Sequence, residues 1–179
     1  MSEQPALPEG LELTRRARTP RRTPAERLLD RLSELDWTIA TAESLTGGLV
    51  VASLVAVPGA SRHVRGGIVA YATDLKNTLL GVDATLLEVG GAVQAKVARQ
   101  MAERVRQTMA EGDRSAEVGV STTGIAGPDS PDGQPVGTVH VGVSTPLGTR
   151  VESLLLSGTR EEIRAETVQV ALRLAREAL

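Results

Sequence analysis

The sequence predicts an α/β fold, a three-layer α/β/α sandwich built on a mostly parallel mixed sheet of about five strands. Three observations lead to this prediction. Short runs of strand-forming residues alternate with helical segments, two neighbouring runs near the C-terminus are joined by a tight turn, and a long helical segment ends the chain. With 179 residues, 41% of them hydrophobic, the chain is long enough to bury one substantial core. We therefore predict one domain over residues 23–179.

The first helix has a clear start. Thr23 provides a hydroxyl N-cap, Pro24 occupies the first helical position and Glu26 stands three residues after the cap, which together form a capping box. One apolar stripe follows, made of Leu28, Leu29, Leu32 and Leu35. Residues 1–22 are rich in Pro and Arg and lack sustained apolar periodicity, which predicts a flexible extension ahead of this helix.

The next segments predict two units of strand, loop and helix. Residues 37–42 predict a strand, after which Gly47-Gly48 opens a helix of small residues. A second strand over residues 67–72 leads into a short helix, for which Thr73 is a candidate N-cap. Gly81 stands just beyond the expected end of that helix, where glycine is favoured.

The middle of the chain predicts two helices and a third strand. Asp83 is a candidate cap for a short helix, and residues 93–109 have the apolar spacing of a long amphipathic helix. Residues 118–122 predict the third strand, which ends in a loop with glycines at positions 124 and 127.

The last third of the chain predicts a hairpin and a helix. Residues 137–144 and 150–156 alternate in residue type and are joined by Thr145-Pro-Leu-Gly148, a pattern typical of an antiparallel hairpin. A final helix is expected from about residue 160 to residue 179. The sheet should thus carry one antiparallel member.

The composition argues against several functional classes. The formal net charge of −2 gives no overall attraction to nucleic acid or anionic membranes. A local run of five arginines lies between residues 15 and 22, but it contains no aromatic residue on which a base could stack. We therefore expect a solvated arm there and no nucleic-acid partner.

Cysteine usage and hydropathy predict a cytoplasmic location. The chain has no cysteine, so disulfides and thiolate metal sites are ruled out. No apolar run has the length of a membrane span, and residues 1–10 lack the pattern of a signal peptide. His63 and His140 stand far apart in sequence and are expected to be ordinary surface or strand residues, so we predict no metal site and no cofactor.

The most distinctive chemical feature is Lys76. Only two of the twenty basic residues are lysines, and this one lies five positions after the only tyrosine, Tyr71. Lysine can lose its proton when it is desolvated, whereas arginine cannot, so of these two basic residue types only lysine can act as a base near neutral pH. Ser44 supplies a hydroxyl nucleophile at the end of an earlier predicted strand. Loops at the carboxyl ends of strands usually form the site of an open α/β sheet, so these residues could share one crevice with residues 123–128.

Each candidate also has a structural alternative. Ser44 and Thr46 could be helix caps, Tyr71 a packed strand residue, and Glu43 a supporting or salt-bridge partner. Free N–H groups at the helix opened by Gly47 and Gly48 would suit a phosphate or a developing oxyanion. The segment matches neither a Walker A loop nor the dinucleotide pattern G-x-G-x-x-G, so neither ATP hydrolysis nor a nicotinamide redox cofactor is predicted.

An ordered series of motifs extends over roughly residues 23–179. It includes Thr41-Ala-Glu-Ser-Leu-Thr-Gly-Gly48, Gly66-Gly-Ile-Val-Ala-Tyr71 with Lys76, Gly124-Ile-Ala-Gly-Pro128 and Ser157-Gly-Thr-Arg160. In these motifs the chain resembles the CinA C-terminal domain family, whose members include the nicotinamide-nucleotide amidases called PncC. The resemblance implies hydrolysis of nicotinamide mononucleotide to nicotinate mononucleotide and ammonia without a metal. It also implies a homo-oligomer, expected to be a dimer.

The resemblance assigns roles to individual residues. Ser44 matches the family's nucleophile, Lys76 its general base and Tyr71 the accompanying tyrosine, which could orient or relay the proton. The expected substrate contacts are the segment before the second helix and the glycine loop with Arg160, namely Glu43, Thr46, Gly47, Gly48, Gly124, Ile125, Ala126, Gly127 and Arg160. Among these, the backbone near Gly47 and Gly48 is the candidate oxyanion site, and the glycine loop and Arg160 are candidates for the ribose phosphate.

Two other functions stay open at this stage. The pocket could bind a nucleotide without turnover, in a sensing role linked to competence or DNA damage. A DNA-binding role for the arginine run ranks last, because the rest of the chain is acidic. Larger family proteins carry a further N-terminal domain associated with pyrophosphatase chemistry, and we expect that activity to be absent from a chain of this length.

Overall fold

Five strands form one mixed sheet in the computed structural model, which describes residues 22–130 and 133–179. In chain order they are β1 (Ile39–Glu43), β2 (Val64–Val69), β3 (Val118–Gly124), β4 (Thr138–Thr145) and β5 (Gly148–Leu155). The spatial order is β2-β1-β3-β4-β5. β1 pairs in parallel with β2 and β3, whereas β4 is antiparallel to both β3 and β5. Four strands therefore run in one direction and only β4 opposes them, which confirms the predicted sheet.

Helices cover both faces of this sheet. They are α1 (Pro24–Leu35), α2 (Leu49–Val55), α3 (Thr73–Leu80), α4 (Ala84–Gly90), α5 (Ala95–Thr108) and α6 (Arg160–Glu177), with one 3₁₀ turn at Ala60–Arg62. One hydrophobic core joins α1, α2 and α6 to the sheet through residues such as Leu28, Leu54 and Ile163. A second core joins α3, α4 and α5 to the opposite face through Leu80, Leu87 and Met101. The two cores make the predicted three-layer α/β/α sandwich.

Local capping chemistry sets the helix boundaries. Thr23 and Thr159 each form a capping box, with a glutamate three residues later bonding back to the cap. Gly81 ends α3 with a φ of 66°, the left-handed conformation that glycine adopts without a steric penalty. The expectation for Thr73 is wrong: the chain stays extended through Ala72, which is therefore the N-cap, and Thr73 is already the first helical residue.

The parallel part of the sheet brings three loops to one edge. Glu43, the last residue of β1, is in register with Val69 of β2 and Thr122 of β3. Because parallel strands end at the same edge, the segments that follow these strands emerge side by side. This edge carries the residues that the sequence singled out.

Some predictions fall outside the described residues. The predicted extension over residues 1–22, including the arginine run, lies there apart from Arg22. Across residues 22–130 and 133–179, no helix combines the length and apolar character needed to cross a membrane.

Candidate active site

A buried pair formed by Ser44 and Lys76 lies at this edge of the sheet. Ser44 is the residue directly after β1, and Lys76 projects from the first turn of α3. The Lys76 Nζ donates to the Ser44 Oγ at 3.1 Å. Only 1% of Lys76 and 8% of Ser44 are exposed to solvent. The structure thus joins two side chains that are 32 positions apart in sequence.

The hydrogen-bond partners of the Lys76 Nζ are uncharged oxygens. Besides Ser44, its Nζ donates to the carbonyl of Ala70 at 2.9 Å and to the carbonyl of Tyr71 at 3.3 Å. Burial lowers the pKa of Lys76 from 10.5 to about 8, although the negative charge of Asp74 opposes this shift. With this pKa, about a tenth of the lysine is neutral at pH 7 and half at pH 8. A neutral amine can accept a proton, which is the property that a general base needs.

Glu43, expected as a substrate contact, organises the segment after Ser44 and is not among the residues that line the cavity beside that serine. Its side chain is only 1% exposed. The carboxylate accepts the N–H groups of Gly48, Val50 and Val51 at 2.8 to 3.0 Å, and the Thr46 hydroxyl at 2.7 Å. It therefore fills the N-terminus of α2 with the protein's own negative charge.

This geometry corrects the oxyanion and phosphate roles expected of Gly47 and Gly48. The Gly48 N–H is held by Glu43, and the Gly47 N–H donates to the Ser44 carbonyl at 3.0 Å. The two glycines have φ values of 61° and 95°, so they turn the chain back toward the start of α2. Thr46 is fully buried and bonds to Glu43 and to the Thr122 hydroxyl. Glu43, Thr46, Gly47 and Gly48 shape the loop and do not line the cavity beside Ser44.

The cavity beside the pair has a volume of about 300 Å³, at the lower end of the range of small-molecule sites. The predicted residues that line it are Ser44, Tyr71, Lys76, Gly124, Ile125, Ala126, Gly127 and Arg160. The sequence did not single out Leu45 and Asp129, which also line it. The third expected loop therefore does share one crevice with the other two.

Tyr71 and Arg160 form a bridge at the wall of this cavity. The Arg160 Nη2 donates to the Tyr71 hydroxyl at 3.1 Å, and its Nη1 donates to the Gly127 carbonyl at 2.7 Å. The Tyr71 hydroxyl is thus bonded to Arg160, while the backbone carbonyl of Tyr71 is the group that contacts Lys76. A guanidinium has five N–H donors, so Arg160 keeps others for a ligand.

Arg164 is a second arginine at the site that sequence reasoning missed. Its Nε donates to the Leu45 carbonyl at 2.9 Å and its Nη2 to the Thr46 carbonyl at 3.1 Å. It lies one helical turn after Arg160 on α6. Residues four apart on a helix share a face, so that spacing was the signal that could have identified it.

The histidines take structural roles, as expected. His63 Nδ1 bonds with the Trp37 carbonyl at 3.0 Å, and His140 Nδ1 with the Ser153 hydroxyl at 2.8 Å. Burial lowers the pKa of His140. Within the described ranges, no group of three or more His, Asp or Glu side chains could hold a metal ion.

A protein-family model and several curated proteins match most of this chain. The family model described as CinA C-terminal domain matches residues 21–179. A CinA-like protein of Frankia casuarinae is 45% identical over 152 residues, which cover 85% of this chain and 34% of that protein. The chain spans about a third of the length of the curated relatives it matches.

Solved structures agree in fold. The crystal structure of competence/damage inducible protein CihA from Agrobacterium tumefaciens has a TM-score of 0.78 and 34% identity, covering 84% of this chain and 90% of that chain. A competence-damaged protein (CinA) superfamily protein from Escherichia coli has a TM-score of 0.81 and 29% identity, covering 87% and 88% of the two chains.

Proposed function

This chain belongs to the CinA C-terminal domain family, and on that premise we propose that it is an amidohydrolase that converts nicotinamide mononucleotide to nicotinate mononucleotide and ammonia. The observation that carries the proposal is the contact of 3.1 Å between the Lys76 Nζ and the Ser44 Oγ in a buried setting. A surface lysine would stay protonated near neutral pH, whereas this one has a pKa of about 8 because it is desolvated.

The first chemical step is attack by Ser44. Neutral Lys76 takes the hydroxyl proton while the Ser44 Oγ forms a bond to the amide carbon, and the carbonyl π electrons move to oxygen. When the tetrahedral intermediate collapses, the C–N bond breaks and the leaving nitrogen takes the proton from Lys76. Ammonia departs and an ester remains on Ser44. Water then attacks the ester carbon while Lys76 takes a proton from that water. When the second tetrahedral intermediate collapses, the bond from the acyl carbon to the Ser44 Oγ breaks, the Ser44 Oγ takes the proton back from Lys76, and the acid is released.

The oxyanion of that intermediate needs donors other than Gly47 and Gly48. Leu45 and Thr46, the two residues after the nucleophile, have N–H groups that donate to no acceptor in the described parts of the chain. Leu45 also lines the cavity. We assign the Leu45 N–H as the first oxyanion donor, because a backbone N–H beside the nucleophile needs little reorganisation during the reaction.

Charges at the cavity fit a nucleotide that carries both a cationic ring and a phosphate. Arg160 offers its remaining N–H donors to phosphate oxygens, and the glycine loop from Gly124 to Gly127 provides a close backbone surface. Asp129 adds a carboxylate to the lining, the sign that a pyridinium ring would favour. The Tyr71 hydroxyl accepts a hydrogen bond from Arg160, so Tyr71 would help to orient the Arg160 guanidinium toward the substrate.

The names of the structural neighbours favour a sensing role as the alternative function. They describe competence or damage inducible proteins, so the same pocket could bind a nucleotide for sensing without turnover. The two functions differ in one measurable outcome, which is the release of ammonia from the bound nucleotide.

The test is an ammonia-release assay with nicotinamide mononucleotide. We expect turnover by the wild type and a loss of at least about a thousandfold in kcat for Ser44→Ala and for Lys76→Met. Lys96→Met is the matched control, because Lys96 is the only other lysine and lies exposed on α5. Ser53→Ala controls for loss of a serine, since Ser53 is only partly buried and its hydroxyl donates to the Leu49 carbonyl within α2. Saturable binding without ammonia release would favour the sensor and contradict the amidase.

A further inference from the structure

Arg164 holds the backbone of the segment that follows Ser44. Its two hydrogen bonds go to consecutive carbonyls, those of Leu45 and Thr46. A β-carbon added to Gly47 would lie 3.4 Å from the Arg164 Nη2, so the guanidinium packs directly against this turn. One rigid planar group therefore fixes two successive peptide planes.

Fixing a carbonyl also fixes the N–H on the other side of the same trans peptide. The Leu45 carbonyl shares its peptide with the Thr46 N–H, which is consequently directed away from Arg164. The Thr46 carbonyl shares its peptide with the Gly47 N–H, and that N–H donates to the Ser44 carbonyl at 3.0 Å. The Ser44 carbonyl in turn shares its peptide with the Leu45 N–H.

A chain of hydrogen bonds thus begins at Arg164 and ends at the N–H of the residue next to the nucleophile. Bonding to a cationic donor polarises a carbonyl and makes the N–H of the same peptide a stronger donor, and such effects accumulate along a chain. Both N–H groups that Arg164 orients in this way, those of Leu45 and Thr46, lack an acceptor within residues 22–130 and 133–179.

We propose that Arg164 is a positioning residue that aims and polarises the N–H groups of Leu45 and Thr46 as the oxyanion donors of the site. The proposal rests on the proposed function in one respect, the role of Ser44 as the nucleophile. Arg164 acts through the backbone of the loop, whereas Arg160 faces the cavity. Loss of Arg164 should therefore affect the chemical step and leave substrate binding nearly unchanged.

The test compares Arg164→Lys and Arg164→Met with the wild type. Lysine keeps the charge but donates from one nitrogen, so it cannot reproduce the fork that holds two carbonyls. Arg173→Met is the matched control from the same helix, because Arg173 forms surface ion pairs with Glu152 and Glu177. Three quantities are measured: kcat and KM for ammonia release, the rate at which a fluorophosphonate probe labels Ser44, and amide hydrogen exchange of the segment from Gly47 to Val51.

Both Arg164 variants should lower kcat and the labelling rate at least about tenfold, as expected for misaligned oxyanion donors. KM should change less than about threefold, the pH midpoint should stay that of the wild type, and exchange in the segment should become faster. Arg173→Met should change none of these. A wild-type kcat, or unchanged exchange, in both Arg164 variants would overturn the positioning role.

The outcome also separates this role from the proposed function. If the wild type releases no ammonia, the amidase proposal fails, while slower labelling and faster exchange in the Arg164 variants would still support the positioning role. If the wild type is neither active nor labelled, unchanged exchange rejects the positioning role and faster exchange supports it.

Discussion

Replacing Lys76 by methionine should change how the stability of the protein depends on pH. In the folded state Lys76 has a pKa of about 8, against 10.5 for a solvated lysine. Between these values the unfolded chain binds more protons than the folded one, so the wild type becomes more stable as pH rises. Methionine has a similar length and no titrating group, so Lys76→Met lacks this contribution.

The size of the effect follows from the two pKa values. Keeping the protonated lysine buried costs the wild type about 3 kcal/mol at pH 7, since each pKa unit is worth about 1.4 kcal/mol. At pH 10 the buried lysine is neutral, and the remaining cost is about 1 kcal/mol, the free energy of removing a proton that the unfolded chain would largely keep. The free energy of unfolding of the wild type should therefore rise by about 2 kcal/mol relative to Lys76→Met between pH 8 and pH 10.

The assay is urea unfolding of both proteins at pH 7, 8, 9 and 10, with Lys96→Met as control. Contributions from the other titrating groups cancel in the difference between variant and wild type, so only the pH dependence of that difference is interpreted. The three hydrogen bonds lost in the variant shift the difference by a nearly constant amount. A difference that is flat over this range would refute the depressed pKa of Lys76.

Three further outcomes are expected. The kcat/KM for ammonia release should rise with pH to a plateau with a midpoint near pH 8. Asp74→Asn should lower that midpoint, because the charge of Asp74 raises the pKa of Lys76. A kcat/KM that does not depend on pH would contradict the role of Lys76 as base. Glu43→Gln should lower the free energy of unfolding, measured in urea, by about 3 kcal/mol. The carboxylate accepts three backbone N–H groups, whereas the NH₂ group of an amide is itself a donor and would face them. A change below about 0.5 kcal/mol would argue against Glu43 as the cap of α2. Arg160→Ala should raise KM at least about tenfold with a smaller effect on kcat, since a charge-assisted phosphate contact is lost; an unchanged KM would remove Arg160 from the binding site.

The element order and the proximity of Ser44 to Lys76 could be predicted from sequence for a physical reason. Strand and helix patterns are local, and parallel strands deliver the residues that follow them to one edge of the sheet. The register of Glu43 with Val69 and Thr122 confirms that expectation. Knowing which residues end parallel strands was enough to bring the two side chains into one crevice.

The hydrogen-bond partners within that crevice could not be predicted in the same way. Glu43 precedes Ser44 in the sequence and looked like a cavity residue, but its carboxylate turns back to cap α2. The same contact removes Gly48 as an oxyanion donor. Arg164 reaches Leu45 from a helix 119 positions away, and no local pattern shows which carbonyls a long side chain will meet.

An NMR titration of the lysine side chains measures the pKa of Lys76 itself, on which its role as the base for Ser44 depends. The chain contains only two lysines, so isotope labelling of lysine gives two sets of signals, and the set that Lys76→Met removes identifies Lys76. We predict a midpoint of about 8 for Lys76 in the folded protein. A midpoint at the solvated value of 10.5 would rule out Lys76 as the base, because only about 0.03% of the lysine would then be neutral at pH 7 and able to take the Ser44 proton.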